Sequence, residues 1–170
     1  KLKLKLSNNE KKYLQGALSF NEAEKYIKKF NNKIFVIKYG GSALDNRYLA
    51  NNFAKDLVLI KKLGILPVIV HGGGVQISET LKKKNIESKF INGLRVTDKK
   101  TITIVKKVLV NRINKKIVDL INQAGGKAIS LPGHKKKLIE VKVLNKKMGF
   151  VGQPQKIKIK IIKSLLKKNF

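Results

Sequence analysis

Three short stretches of this chain carry residue types that handle anions. Lys38 closes an apolar run and is followed by Tyr39, Gly40 and Gly41. His71, at the end of a second apolar run, is followed by Gly72, Gly73 and Gly74. Arg95 ends the segment Asn92-Gly93-Leu94-Arg95 and is joined only by Arg47 and Arg112 as arginines in the chain. Residues without a Cβ let backbone N–H groups approach an anion, and a helix N-terminus behind them adds partial positive charge. A lysine fixed at a strand end can neutralise charge on a phosphoryl group in transit. An arginine fork can grip a carboxylate through two hydrogen bonds, which a lysine does not reproduce. Each stretch also has a plainer reading. The glycines can serve a tight βα turn, Lys38 can be one more surface lysine, and Arg95 can sit in a surface ion pair. His71 reads as structural, orienting its loop, and His134 lies in a lysine-rich turn.

The elements that position these residues follow from hydropathy. Ile34 to Tyr39 and Ile65 to Val70 are β-branched apolar runs, the pattern of buried parallel strands. Between them Leu49, Phe53, Leu57 and Ile60 recur on one helical face, with Gly64 as the C′ stop. Strand, glycine loop and helix thus occur twice in succession. The first strand, its helix and the second strand form a βαβ unit with a right-handed crossover. Both glycine loops then fall at the carboxyl edge, where open sheets bind ligands.

Further along, Val75 to Lys84 has helical spacing, and Lys89 to Arg95 reads as a short strand and turn. Thr97-Asp98 offers an N-cap for a longer helix whose apolar positions run from Val105 to Ile121, ended by Gly125-Gly126. Lys127 to Leu131 and Leu138 to Leu144 read as strands. A loop from Lys147 to Pro154 leads to a lysine-interleaved strand and a helix containing Ile161, Ile162, Leu165 and Leu166. The organisation expected is a basic tail over 1–10, an N-terminal helical segment over 11–30 broken near Ser19-Phe20-Asn21, and one domain over 31–170.

Composition bounds the partners. A chain of 170 residues at 42% hydrophobic can bury one sizeable core. Zero cysteines exclude disulfides and thiolate metal sites and point to a reducing, cytoplasmic compartment. Two histidines and ten acidic residues offer no metal-ligand spacing. No apolar run reaches transmembrane length, so no membrane partner is expected. The net charge of +29 invites a nucleic-acid reading, but the lysines are spread along the whole chain and arginine is scarce. A solvated lysine surface is the better account. No loop matches Gly-x-x-x-x-Gly-Lys-Ser/Thr, which disfavours a P-loop NTPase, and no Gly-x-Ser-x-Gly accompanies His71-Gly72-Gly73-Gly74, which disfavours a lipase-like hydrolase.

Taken in order, Lys38-Tyr39-Gly40-Gly41-Ser42-Ala43, His71-Gly72-Gly73-Gly74 and Asn92-Gly93-Leu94-Arg95-Val96-Thr97-Asp98 resemble the N-acetylglutamate kinases of the amino acid kinase superfamily. Asn114-Lys115, Gly125-Gly126-Lys127-Ala128 and Gly149-Phe150-Val151-Gly152 extend the resemblance. It implies a three-layer α/β/α sandwich with an open, mainly parallel sheet. It also implies ATP-dependent phosphorylation, with Mg²⁺, of the side-chain carboxylate of N-acetyl-L-glutamate, giving an acyl phosphate in arginine biosynthesis. By the same resemblance Lys38 is the transition-state-stabilising lysine, and Gly40 and Gly41 line the transferred phosphoryl group. Gly72 and Gly73 bind substrate, and Arg95 holds its α-carboxylate. A homo-oligomer, dimer or hexamer, is the implied assembly. The family's nucleotide-binding half, with its adenine pocket and second catalytic lysine, has no counterpart in these residues. The chain therefore reads as the substrate-binding part of such a kinase, with little turnover expected of it alone. The alternative is a non-catalytic acetylglutamate-binding or assembly module, and a basic nucleic-acid binder is the weaker rival.

Overall fold

The computed structural model describes residues 7–9, 12, 20–40 and 45–170. Most of the basic tail and most of the segment from residue 11 to 19 lie outside the described residues, as does Gly41. Helix α1 (Phe20–Phe30) begins near the expected break and buries Ile27. Its last aromatic, Phe30, meets Phe35 edge-on at a centroid distance of 5.1 Å. Asn32, at φ 59°, turns the chain into the first strand.

Strand β1 (Ile34–Tyr39) and strand β2 (Leu66–His71) pair in parallel, with Lys38 opposite Val70 and Tyr39 opposite His71. Helix α2 (Arg47–Lys62) makes the crossover between them. Its N-cap is Asn46, whose side chain accepts from Leu49 N–H at 3.1 Å, and Gly64 at φ +87° follows the cap residue Leu63. Both ends therefore stop where local chemistry satisfies the orphan backbone groups. The period-2 alternation of β1 turns Phe35, Ile37 and Tyr39 inward and leaves Ile34, Val36 and Lys38 exposed.

Helix α3 (Gly74–Lys82) leaves directly from the glycine triplet and buries Ile77 and Leu81. The hairpin of β3 (Phe90–Ile91) and β4 (Leu94–Arg95) turns on Asn92 at φ 49° and Gly93 at φ +76°. Two positive φ values are what a two-residue hairpin turn demands, and Asn-Gly supplies them at least cost.

Helix α4 runs as three joined segments, α-helical over Lys99–Lys106, π-helical over Lys107–Asn114 and α-helical over Lys115–Gln123. Asp98 caps it, accepting from Thr101 N–H at 2.7 Å. Its most buried apolar residues are Ile104, Val108, Ile113 and Ile117, spaced by four, five and four. A step of five carries a side chain off an α-helical face, and the i→i+5 bonds of a π segment restore it. The core joins these four to Tyr39, Ile77 and Leu81, with Ile69 and Phe53 packed on it. Tyr39 stacks on Phe53 with centroids 3.9 Å apart.

Lys127 to Leu131, expected as a strand, forms none. Ala128 N–H donates to Asn122 Oδ1 at 2.7 Å, and Asn122 Nδ2 donates to the Ala128 carbonyl at 3.4 Å. The helix end thus takes the backbone bonds that a ladder at Ala128 would have used. Strand β5 (Ile139–Val143) pairs antiparallel with β6 (Gly152–Ile157), so regular structure begins at Gly152, inside the expected loop. A register shift at Glu140/Val141 accommodates Pro154, which has no N–H to give a ladder. Helix α5 (Ile159–Lys167) closes the described chain. No helix among the described residues is long and apolar enough to cross a membrane.

Candidate active site

The parallel register places both glycine loops at one edge. Gly72 N–H donates to the Tyr39 carbonyl at 3.2 Å, extending the ladder one step past β2 before the chain turns into α3. Gly73 is the N-cap of α3 and makes no side-chain capping bond. The first-turn N–H groups of a helix have no intrahelical acceptor, so they present donors and partial positive charge at this edge.

The three glycines differ in what they are for. A Cβ on Gly73 would stand 2.6 Å from Ile113 Cδ1 and 2.7 Å from Leu109 Cδ2, so the loop lies against the π segment of α4 and an added methyl would have to push those two side-chain ends aside. A Cβ on Gly40, Gly72 or Gly74 would meet nothing within 4 Å. The open space at those positions is a cradle that side chains would fill, which fits an oxyanion-bearing ligand such as a nucleotide's phosphates.

The two loops are tied to each other. Gln76, buried in the first turn of α3, donates from Nε2 to Asp45 Oδ2 at 2.7 Å. Asp45 stands just before the cap of α2, so the first loop's far end is pinned to the second loop's helix. Burial, with the Asp45 charge beside it, raises the Tyr39 hydroxyl above its ordinary value. His71 acts as the sequence suggested. Its Nδ1 lies 3.0 Å from the Gly72 carbonyl and its Nε2 lies 3.1 Å from Asn114 Nδ2. A single tautomer satisfies both contacts, with Nδ1–H donating to the carbonyl and Nε2 accepting from the amide.

Arg95 is brought to the glycine triplet. Nη2 donates to the Gly74 carbonyl at 3.3 Å and to Ser78 Oγ at 2.7 Å, while Nη1 donates to Ser88 Oγ. The Phe90 ring lies 4.6 Å from the guanidinium carbon. Partial burial lowers the Arg95 pKa from its ordinary value, yet the group stays charged at any physiological pH. Lys38 shares the edge but not the network. It is exposed on the open face of β1, and among the described residues no hydrogen bond or ion pair joins it to Arg95 or the triplet. Ser78, Ser88 and Gln76 were not singled out by sequence reasoning. The spacing of Gly74 and Ser78, one helical turn apart, was the available signal for Ser78, and nothing local marks Ser88.

Two cavities of about 420 Å³ flank this edge. One lies between α2, β2 and α5, walled by Leu57, Val58, Ile117 and Leu165, and reaches the site through His71 and Asn114. The other is an open recess beside Ser78 and Ser88. Neither is lined by Gly40, Gly72, Gly73 or Gly74. The described residues hold no cluster of three or more His, Asp or Glu.

A βαβ unit with glycine-bearing turns and an arginine at its carboxyl edge is an α/β layout whose ligand sites, in general, lie at that edge. The chain belongs to the amino acid kinase family, whose profile matches residues 33–170. Among curated proteins it is 49% identical over 151 residues to an acetylglutamate kinase of Caldanaerobacter subterraneus, covering 88% of this chain and 50% of that protein. It is 46% identical over 161 residues to an acetylglutamate kinase of Ehrlichia chaffeensis, covering 85% and 50%. The chain thus spans about half the length of the curated relatives it matches. Among solved structures, a Streptococcus mutans protein superposes with a TM-score of 0.73 at 31% identity over 80% of this chain and 55% of that one. An N-acetylglutamate synthase of Neisseria gonorrhoeae, with coenzyme A and N-acetyl-glutamate bound, gives a TM-score of 0.73 at 19% identity over 88% and 35%. That last likeness concerns the fold.

Proposed function

We propose that these residues form the substrate-binding part of an acetylglutamate kinase, which transfers the terminal phosphoryl group of ATP to the side-chain carboxylate of N-acetyl-L-glutamate. The observation that carries this reading is the Arg95 guanidinium seated on the Gly74 carbonyl, a carboxylate grip built into the lip of an anion-binding glycine loop. The names of the relatives support it.

The chemistry asks little of acid–base groups. A carboxylate nucleophile has an ordinary pKa of about 4 and is ionised at neutral pH, so no general base is needed. The task is to hold two mutually repelling anions in line. In this reading Arg95 takes the α-carboxylate, and Gly72 and Gly73 present backbone to the substrate. Gly40, with Gly41 outside the described residues, borders the phosphoryl group, and Lys38 neutralises charge there as it moves. Bound Mg²⁺ would shield phosphate charge.

Calorimetric titration with N-acetyl-L-glutamate tests the pocket. Saturable binding to the chain is expected, and Arg95→Lys should weaken it about tenfold or more, because an ammonium cannot reproduce the planar fork. Unchanged affinity in Arg95→Lys would remove Arg95 from the site. A coupled assay for ADP release then separates a kinase from a binding module.

A further inference from the structure

We propose that Ser78 and Ser88 are positioning residues that hold the Arg95 guanidinium in one orientation, so that its remaining N–H groups, on Nη1 and Nε, point in fixed directions. The inference rests on Arg95 being the carboxylate grip and says what fixes its aim.

A guanidinium offers five N–H donors in a rigid plane. Three are committed within the fold, to Ser88 Oγ from Nη1 and to Ser78 Oγ and the Gly74 carbonyl from Nη2. Two remain, one on Nη1 and one on Nε; they leave from opposite sides of the group, because Nε–H lies on the Nη2 side, so each can give one hydrogen bond to an anion. The partners come from two elements, Gly74 and Ser78 from α3 and Ser88 from the loop after it, so the plane of the fork is set by tertiary packing. The Phe90 ring, 4.6 Å from the guanidinium carbon, adds an aromatic contact to the same group.

Ser78 is suited to this in a way alanine is not. Its own hydroxyl proton goes to the Gly74 carbonyl at 3.0 Å, which leaves an oxygen lone pair for Arg95 Nη2. Gly74, Ser78 and Arg95 thereby close a three-membered polar ring at the head of α3. Holding a long side chain in place before the ligand arrives removes part of the rotamer entropy that binding would otherwise cost. The serines thus act on affinity through Arg95, without touching substrate.

The test has two readouts. In nitrogen-15 spectra of the guanidinium groups, Arg95 should show slowly rotating, resolved Nη–H signals, with the exposed Arg47 and Arg112 averaged as internal references. Ser78→Ala should collapse those signals, and Ser78→Thr, which keeps the hydroxyl, should restore them. By calorimetry, N-acetyl-L-glutamate affinity should fall about tenfold in Ser78→Ala and in Ser88→Ala. In an Arg95→Ala background the same serine changes should have no further effect. Arg95 signals averaged like those of Arg47 and Arg112, or unmoved by Ser78→Ala, would overturn the proposal. Equal losses on serine removal with and without Arg95 would do the same, since the serines would then act independently. If Arg95→Ala leaves affinity intact while its signals stay resolved in the wild type, the substrate reading itself falls and takes this inference with it.

Discussion

Asn114 Nδ2 stands 3.1 Å from His71 Nε2, joining the last residue of the π-helical segment to the last residue of strand β2. His71 in turn holds the Gly72 carbonyl, so the glycine triplet is braced from the helix through a histidine. The other side-chain atom of Asn114, Oδ1, is buried with no partner among the described residues. Removing the amide leaves His71 Nε2 unsatisfied, at an expected cost of about 1–3 kcal/mol. Urea unfolding should show Asn114→Ala and His71→Ala each destabilising, with the double variant costing clearly less than the sum. Strict additivity would mean the contact carries no coupling.

The glycines make a sharper pair of expectations. Gly73→Ala forces a methyl against Ile113 and Leu109 and should cost about 1–3 kcal/mol of stability through overpacking. Gly72→Ala meets open space and should leave stability within about 0.5 kcal/mol while weakening N-acetyl-L-glutamate binding. Thermal melts beside calorimetry separate the two. A Gly72→Ala variant that binds normally would show that this position does not face ligand.

Acid stability reports the cap of α4. The Asp98 carboxyl is held below its ordinary value of 3.8, chiefly by the hydrogen bond from Thr101 N–H and then by its other local contacts. A folded-state pKa lower than the unfolded one means that the cap's contribution is complete above the unfolded pKa. It fades as pH falls through the folded pKa. Melting temperatures followed from about pH 6 to about pH 2 should drop less steeply in Asp98→Asn, which caps without titrating. Parallel profiles for the two proteins would rule out this role.

Lys38 should separate stability from chemistry. It lies exposed on the uncovered face of β1 opposite Val70, so Lys38→Ala should unfold within about 0.5 kcal/mol of the wild type. In a form of the protein that also carries the nucleotide-binding half, acyl phosphate formation, trapped with hydroxylamine, should fall by about 10²–10³ if the Lys38 ammonium meets the transferring group. A variant with undiminished product formation would assign Lys38 to the surface.

Features that depend on a few neighbouring residues were legible without coordinates. The two strand–glycine–helix units, the cap at Thr97-Asp98, the stop at Gly64 and the strand and turn over Lys89 to Arg95 each follow from local sterics and unpaired backbone groups, and each stands where the sequence places it. Lys127 to Leu131 was misread for a related reason. Its strand-like composition is local, but the Asn122 amide that takes the Ala128 backbone reaches it from the end of a helix.

By itself, then, the order of residues determined the parallel βαβ unit, the shared edge for Lys38 and the glycines, and the anion chemistry those types can do. Tertiary structure alone decided that Gly73 must clear Ile113, that Gln76 ties the two loops through Asp45, and that Arg95 is aimed by Ser78 and Ser88. Periodicity and capping act over a turn or two of chain, whereas these contacts join residues whose separation along the sequence carries no signature until packing closes it.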